Sequence, residues 1–299
     1  MKHNNPLSRR LPMTCAALLT GIMTLFCSAC GNISAVNAAE STGPTITIGI
    51  ENDLPGLSLQ QGNQYSGFAV DVAEYVADQL GYAPKEIIWK NVPIADRATM
   101  LNDDAVDMIV GPYAISNGHK QNVDFAGPYV STGLQLLVNK TNTSITGPQS
   151  LAGKTICTAA GTVAAQEITK NFGTTVHLIQ YPTYAQCVTA LLSGTVDAVA
   201  ADGIILAGLN STKGDGYLKI VGQPFTKDYY GIAVKKNSPG LVYQINQALK
   251  KMVSTGTWKR DFNTALANTG YTMNTAWNLP TTFDAQISQE TDSSTSQQE

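Results

Sequence analysis

The sequence predicts an α/β protein with two similar lobes joined by two hinge strands, and three observations predict this architecture. Segments with the apolar patterns of strands and of helices alternate along the chain, which is typical of α/β folds. Two segments of similar sequence recur at an offset of 90 residues. Two extended apolar segments lie where the chain would pass from one half to the other.

The first half opens with a strand pattern, TITIGI, at 45–50. A helix pattern follows at 68–82, with apolar residues at helical spacing and a glycine stop at Gly81. The next segment, EIIWKNV at 86–92, again reads as a strand. This order predicts one α/β unit.

The second half repeats the order, with a strand pattern at 153–161, an amphipathic segment at 162–173 and an extended segment at 176–181. The recurring unit is clearest where MLNDDAVDMIVG, from Met100, is laid over ALLSGTVDAVAA, from Ala190. In both copies a helix closes with a polar turn, and a Val-Asp pair opens a short buried strand. Two similar lobes follow from this repeat.

The connections predict a hinge and a cleft. LQLLVNK (134–140) leaves the first half and YYGIAVKKN (229–237) follows the second. A helix is predicted next, with Ser238 as its N-cap and Pro239 in its first turn. If that helix packs on the first lobe, the chain crosses twice between the lobes. We therefore expect lobe 1 at 45–138 plus 231–282, and lobe 2 at 139–230.

Composition and charge narrow the class of protein. The 299 residues are 43% hydrophobic with a net charge of −3, enough for a sizeable core. No cluster of basic residues lies beside aromatic ones, so nucleic acid is not an expected partner.

The N-terminus predicts export. Basic residues precede an apolar run at 11–26 that is short for a membrane span. The run ends in CSAC, which resembles a bacterial lipobox with Cys30 as the lipidated residue, although Cys27 replaces the usual aliphatic residue. Cleavage after an alanine near 38 or 39 is the alternative. Residues 31–44 read as a tether and 283–299 as a disordered tail.

After Cys30 the chain has two further cysteines, Cys157 and Cys187. In an exported protein an isolated pair is more often bridged than free. Two buried free thiols are the alternative. A thiol enzyme is disfavoured, because no Cys-x-x-Cys motif occurs after Cys30 and no histidine is near either cysteine in sequence.

Several segments between residues 45 and 265 resemble the extracellular solute-binding proteins of ABC transporters, of the polar-amino-acid type (family 3), and among them the glutamate-binding lipoproteins of actinobacteria. They include IGIENDLPGLS, VDFAGPY, LAGKTICTAAGT and YAQCVTALLSGTVDAVAADGIILAG. The cysteine pair also resembles the disulfide of the glutamate-binding branch.

The resemblance implies a type II periplasmic-binding-protein-like fold whose lobes close on a ligand. It implies a polar amino acid such as glutamate or glutamine, or a related amino compound, as the ligand, presented to a permease and its ATPase. It further implies a monomer without a cofactor or catalytic activity, held by its lipid on the outer face of the cytoplasmic membrane.

Carried over residue by residue, the resemblance assigns the ligand's α-amine to Asp202 and a second ligand contact to Arg97. Asp53, Tyr113 and Thr162 complete the candidate ligand-binding residues together with His119.

The part of the family pattern that holds the ligand's α-carboxylate has changed. Where the family has an arginine, a hydroxyl and a threonine, this chain has His119, Ala114 and Val163. Other departures from the glutamate branch are Asn52, Leu54 and Ala69. Histidine offers one contact and a partial charge where arginine offers a fixed, charged fork. Either the ligand differs from a free α-amino acid or the site has weakened.

Each assignment has a simpler alternative. The segment 115–129 reads as a polar loop followed by a Pro-Tyr stop, and His119 could be an exposed residue of that loop after the turn-favouring Asn117-Gly118. Asp202 could only cap a helix, Arg97 could form a surface pair with Asp96 or Asp103, and Tyr113 could be core packing.

Other functions remain as alternatives, namely an enzyme of the cyclic-acid dehydratase type using His119 and Asp202, or a sensor with a decayed site. GPQSLAGKT (147–155) lacks the spacing of a phosphate loop. No pair of histidines has metal-ligand spacing, and no Gly-x-Ser-x-Gly motif is present.

Overall fold

A computed structural model describes residues 43–214 and 216–272. The predicted signal segment, Cys30, most of the tether and the tail at 283–299 lie outside the described residues. Within the described part of the chain, no helix has the length and apolar character needed to cross a membrane.

The first half of the fold alternates strands and helices as predicted. Its elements, with bounds, are β1 (Ile46–Ile50), β2 (Asp53–Leu54), β3 (Ser58–Gln61), β4 (Gln64–Ser66), α1 (Phe68–Gln79), β5 (Ile87–Asn91), α2 (Arg97–Asn102), β6 (Met108–Ile109), α3 (Asn117–Lys120) and β7 (Val123–Thr132).

The second half and the return follow. They comprise β8 (Leu134–Asn139), β9 (Thr155–Ala159), α4 (Val163–Phe172), β10 (His177–Tyr181), α5 (Tyr184–Leu192), β11 (Ala198–Asp202), α6 (Gly203–Lys213), β12 (Leu218–Val221), β13 (Asp228–Lys235), α7 (Pro239–Ser254) and α8 (Thr257–Leu266).

Two five-stranded sheets carry the two lobes, in the orders β5-β1-β6-β13-β7 and β10-β9-β11-β8-β12. In each sheet three neighbouring strands are parallel, and the remaining two strands each pair antiparallel with the strand before them in the sheet order. A small sheet, β2-β3-β4, lies beside α1. The predicted α/β, two-lobed fold class is confirmed.

The recurring Val-Asp pair has a structural explanation. Oδ2 of Asp107 accepts a hydrogen bond from the backbone N–H of Thr47 at 2.7 Å. Oδ2 of Asp197 accepts the equivalent bond from Thr155 at 2.8 Å. In each lobe an aspartate therefore ties the start of one parallel strand to the segment that leads into its neighbour.

The chain passes between the sheets twice. Strand β7 belongs to the first sheet and β8 to the second, so the first passage is at Gly133. The second passage is the segment 222–227, between β12 and β13. The sequence predicted the lobe boundaries at 138/139 and 230/231, and both passages begin a few residues earlier. The first is earlier because β8 already pairs with β11 in the second sheet. The second is earlier because the start of β13 already pairs with the end of β7 in the first sheet.

The C-terminal helices return to the first lobe, where α7 packs on β7 and α1. Ser238 is the residue before α7, but its side chain makes no capping bond. Its backbone N–H instead donates to Asp124 at 3.0 Å. Trp258 of α8 donates its indole N–H to the Tyr129 carbonyl at 2.8 Å, which fixes α8 on the same lobe.

The segment 115–129 differs from its predicted loop. The side chain of Ser116 accepts the N–H of His119 at 3.1 Å and so caps the short helix α3. Strand β7 then continues through Pro128 instead of stopping there. Ser-x-x capping outweighs the turn tendency of Asn117-Gly118.

Cys157 and Cys187 form a disulfide between β9 and α5. Both residues are buried in the core of the second lobe.

Candidate functional site

A small pocket lies where the two sheets face each other. Residues of both lobes line it, and these are Arg97, Pro112, Ala114, His119, Leu134, Thr162, Val163, Ala164, Tyr184, Asp202 and Asp228. Four of the six ligand-binding residues predicted from the sequence are therefore brought to one cleft: Arg97, His119, Thr162 and Asp202.

Asp202 ends β11 and precedes α6, where its side chain makes no capping hydrogen bond. The predicted alternative, that it serves only as a helix cap, is therefore wrong. Its Oδ2 accepts a hydrogen bond from the hydroxyl of Tyr230, on the other sheet. Its Oδ1 is buried and has no donor among the described residues. Burial, and then the nearby Asp228 carboxyl, raise the pKa of Asp202 well above its usual range.

Asp228 opens β13 and stands beside Asp202, since each carboxyl affects the pKa of the other. The Thr226 hydroxyl donates to Oδ2 of Asp228 at 2.5 Å. Burial is the main cause that raises the pKa of Asp228. Sequence reasoning missed this residue, whose only signal was an acidic residue directly before the YYGIAVKKN strand.

Arg97 begins α2 and is 5% exposed. Its guanidinium donates to the Pro112 carbonyl at 3.2 Å and to Glu51 at 2.5 Å. It also lies 5.0 Å from the centre of the Tyr113 ring. The alternative of a surface pair with Asp96 or Asp103 is wrong, because the partner is the buried Glu51.

Glu51 follows β1 and is 6% exposed. Burial raises its pKa to about 7, although Arg97 opposes this shift and Asp53 adds to it. Its Oε1 has no donor among the described residues. Sequence reasoning missed this residue too, and its only signal was an acidic residue at the end of an apolar strand, where loops carry functional groups.

His119 is a half-buried residue of α3 that lines the cleft, so the alternative of an exposed loop histidine is wrong. Its Nδ1 bonds to the Ala114 carbonyl at 2.8 Å. Because a carbonyl only accepts, Nδ1 carries the proton in this bond and Nε2 is an acceptor in the neutral ring. Burial is the main cause that lowers the pKa of His119, and Arg97 lowers it further. The ring is thus neutral near pH 7.

Thr162 caps α4, and its hydroxyl is already engaged. It donates to the Ala159 carbonyl at 2.7 Å and accepts the N–H of Ala165 at 3.3 Å. Val163 and Ala164 also line the cleft. The first N–H groups of a helix have no intrahelical acceptor, so these two residues offer donors to an anionic group.

Tyr113 and Asp53 do not line the pocket. Tyr113 is buried behind Arg97, edge-on to His119 and Phe125 with ring centres 4.8 and 5.1 Å apart. This packing supports the core alternative for Tyr113. Asp53, in β2 of the first lobe, bonds to the Thr183 side chain of the second. It therefore links the two lobes without lining the pocket.

The two lobes also contact each other beside α6. A Cβ atom added at Gly208, in α6 of the second lobe, would lie 1.9 Å from the backbone oxygen of Pro55 in the first. Only glycine allows this approach. The described structure is therefore that of a closed cleft.

The cleft can hold a small polar molecule through charge and hydrogen bonds. It presents two carboxyl groups, one guanidinium, a neutral imidazole and the N-terminus of α4. Among the described residues, no three His, Cys, Asp or Glu side chains are placed to hold a metal ion.

Residues 46–264 match the family model of the bacterial extracellular solute-binding proteins, family 3. The glutamate-binding protein GluB of Corynebacterium efficiens is 36% identical over 87% of this chain and 91% of its own length. The ABC transporter glutamine-binding protein GlnH of Bacillus subtilis is 33% identical over 73% of this chain and 80% of its own length.

Solved structures of similar fold include an ancestral arginine-binding protein bound to arginine, with a TM-score of 0.68 and 28% identity over 74% of this chain and 98% of that one. The GluR0 ligand-binding core of Nostoc punctiforme, in complex with L-glutamate, gives a TM-score of 0.65 and 26% identity over 73% of this chain and 98% of that one. With its two sheets, two crossings and a polar cleft between them, the chain belongs to the bacterial extracellular solute-binding proteins of family 3.

Proposed function

We propose that this protein captures a polar amino compound in the cleft between its lobes and presents it to the permease of an ABC importer. The observation that carries this proposal is Asp202, a buried carboxylate in the cleft with one oxygen that lacks a donor among the described residues. An ammonium group supplies that donor. The names of relatives that bind glutamate and glutamine support the same class of ligand.

The cleft also has groups for the ligand's carboxylate. Arg97 uses two of its five N–H donors within the protein, and the N-terminus of α4 offers the N–H groups of Val163 and Ala164. In this arrangement the ligand's ammonium group meets Asp202 and its carboxylate lies between Arg97 and α4. His119 takes no carboxylate near pH 7, because the ring is neutral and its Nε2 is an acceptor.

Binding is coupled to closure because the ligand groups meet both lobes. Arg97 belongs to the first lobe, whereas Asp202 and α4 belong to the second. A ligand shifts the equilibrium toward the closed form only to the extent that it binds that form better. The bond between Asp53 and Thr183 then adds to closure.

We further propose where the protein is located and how it acts. The chain is a lipoprotein, anchored through Cys30 to the outer face of the cytoplasmic membrane, and it acts as a monomer with no catalytic step. The anchor is tested by expressing the full chain and a Cys30→Ala variant in a Gram-positive host. Intact protein in the membrane fraction, and release of the variant into the medium, are the expected results. Equal distribution of both forms would contradict the anchor.

A ligand screen tests the proposed binding function. Thermal unfolding is followed with the standard amino acids, γ-amino compounds and polyamines, since a ligand at 100 times its Kd stabilises by about 2.7 kcal/mol. We expect at least one amino compound to raise the melting temperature by several degrees. If none does, capture of an amino compound is contradicted.

A further inference from the structure

Acidic side chains outnumber basic ones around the cleft. Two carboxyl groups, Asp202 and Asp228, line it beside one guanidinium, that of Arg97. Behind the guanidinium lies a third carboxyl group, Glu51, which accepts a hydrogen bond from it at 2.5 Å. His119 adds no charge near pH 7, because burial lowers its pKa. Three carboxyl groups therefore surround a ligand beside one guanidinium.

Asp202 and Asp228 form a pair of neighbouring carboxyl groups that can bind a cation. Each receives one hydroxyl donor, from Tyr230 and Thr226 respectively. Oδ1 of Asp202 remains without a donor among the described residues, and Asp202 is 8% exposed. Two neighbouring carboxylates in a dry site repel each other when both are ionised. An ammonium group has three donors and can bind both.

Glu51 reduces the attraction of Arg97 for anions. The pair is buried, with each side chain 6% exposed, so water screens it little. Arg97 retains further N–H donors and can orient one carboxylate. It does not supply a surplus positive charge for a second one.

From these contacts we infer that the cleft selects an amino compound of net positive charge, with Asp228 as a second carboxylate for its ammonium group and Glu51 as the residue that disfavours anionic ligands. The inference rests on the proposed function, which it narrows to basic amino acids and diamines. Glutamate is disfavoured, because its second carboxylate meets no further cationic group in a cleft lining where carboxyl groups outnumber the guanidinium.

Isothermal titration calorimetry on the wild-type protein tests this selection with arginine, lysine, ornithine, putrescine, glutamine and glutamate. The tightest ligand is expected to be a cation, with glutamate at least 100-fold weaker. If a basic amino acid binds more tightly than putrescine, the ligand's carboxylate contributes to binding. If putrescine binds more tightly, the cleft is a diamine site. Both results support the inference. If glutamine or glutamate binds tightest, the inference is overturned while the proposed function stands. If no amino compound binds, both fail.

Two variants test the assigned residues. Asp228→Asn is expected to weaken binding of the tightest cation by roughly 10- to 100-fold, since it removes one member of a buried charged contact. Glu51→Gln is expected to weaken the same cation and to strengthen glutamate, which reverses part of the selectivity. Asp103→Asn, an exposed aspartate, is the matched control.

Circular dichroism and melting temperature establish that each variant is folded. If Asp228→Asn does not fold, Glu51→Gln still decides the question through the ratio of cation to glutamate affinity. The role of Glu51 is overturned if Glu51→Gln leaves the ratio of cation to glutamate affinity unchanged. The role of Asp228 is overturned if a folded Asp228→Asn variant binds the cation as tightly as the Asp103→Asn control does.

Discussion

The hydroxyl of Tyr230, in the first sheet, donates a hydrogen bond to the carboxylate of Asp202, at the end of a strand of the second sheet. The contact spans the two lobes close to both passages of the chain. The orientation of the main candidate ligand-binding carboxylate therefore depends on residues of both lobes, and closure and ligand contact are linked through this bond.

Tyr230→Phe removes only this hydroxyl. We expect the affinity for an amino ligand to fall by roughly 10- to 100-fold, because a hydrogen bond to a charged group contributes about 1.5–3 kcal/mol. Calorimetry measures the change. Tyr243→Phe, at a tyrosine that is 65% exposed, is the control, and equal affinity of the two variants would contradict a positioning role for Tyr230.

Asp202→Asn tests the amine contact itself. Replacing a buried ligand-paired carboxylate by an amide is expected to lose about 2–5 kcal/mol of binding free energy, or roughly 30-fold or more in Kd. Asp103→Asn removes the same charge from the surface. A folded Asp202→Asn variant with wild-type affinity would show that the ammonium group lies elsewhere.

Gly208→Ala tests closure. Its Cβ would lie 1.9 Å from the Pro55 oxygen, so the closed form is expected to be strongly disfavoured. Alanine is the better helix former by about 1 kcal/mol, and each lobe is expected to fold normally. Ligand affinity should fall sharply while the melting temperature without ligand holds or rises.

Gly240→Ala, at a helical glycine with nothing within 4 Å of the added atom, is the control for that experiment. Small-angle scattering should show Gly208→Ala remaining more open than the control at saturating ligand. Identical closure of the two variants would contradict the closed contact between Pro55 and α6.

Glu51 predicts a pH dependence of stability. Its pKa is raised from 4.5 to about 7 in the folded protein, so the folded state binds more protons between those values. The contribution of Glu51 to the free energy of unfolding is therefore complete below about pH 4.5 and is lost as pH rises through about 7.

The measurement is urea unfolding from pH 5 to 8 for the wild type and Glu51→Gln. The difference in unfolding free energy between them should change by up to about 3 kcal/mol across this range, with the wild type losing more as pH rises. Arg97 and Asp53 face Glu51, and their substitutions would shift the midpoint in opposite directions. A constant difference between the two proteins contradicts the raised pKa.

Substitution of both Cys157 and Cys187 by alanine is expected to lower the free energy of unfolding by about 3–4 kcal/mol. A cross-link that closes a loop of this length, with a sequence separation of 30, restricts the unfolded chain by about that amount. Urea unfolding of the double variant, with the wild type in reducing and oxidising buffer as the comparison, measures it. No difference between reduced and oxidised wild type would contradict a stabilising bridge.

Local pattern was enough to predict the two-lobed fold. Strand and helix periodicity gave the elements, and the Val-Asp repeat reflects real equivalence, since Asp107 and Asp197 accept matching backbone bonds. Asp202, which the family resemblance assigned, lies at the end of the buried strand that the repeat predicts. These features depend on neighbours in sequence or on one strand pairing.

The electrostatics of the cleft could not be predicted in the same way. Glu51 pairs with Arg97 across 46 positions, and Asp228 reaches Asp202 only because the second passage between sheets brings the start of β13 beside the end of β11. The lowered pKa of His119 depends on its burial and on the nearby Arg97, whereas the Ala114 carbonyl opposes the shift. Such contacts are products of the whole fold.

The central claim is that Asp202 binds the ammonium group of a ligand held between the lobes. A crystal structure with the amino compound that binds most tightly tests it most directly, through the distance between the ligand nitrogen and Oδ1 of Asp202. We predict a distance of about 2.7–3.2 Å, with a carboxylate, where the ligand has one, directed at Arg97 or α4. A ligand bound outside the cleft, or with its nitrogen away from Asp202, would contradict the claim.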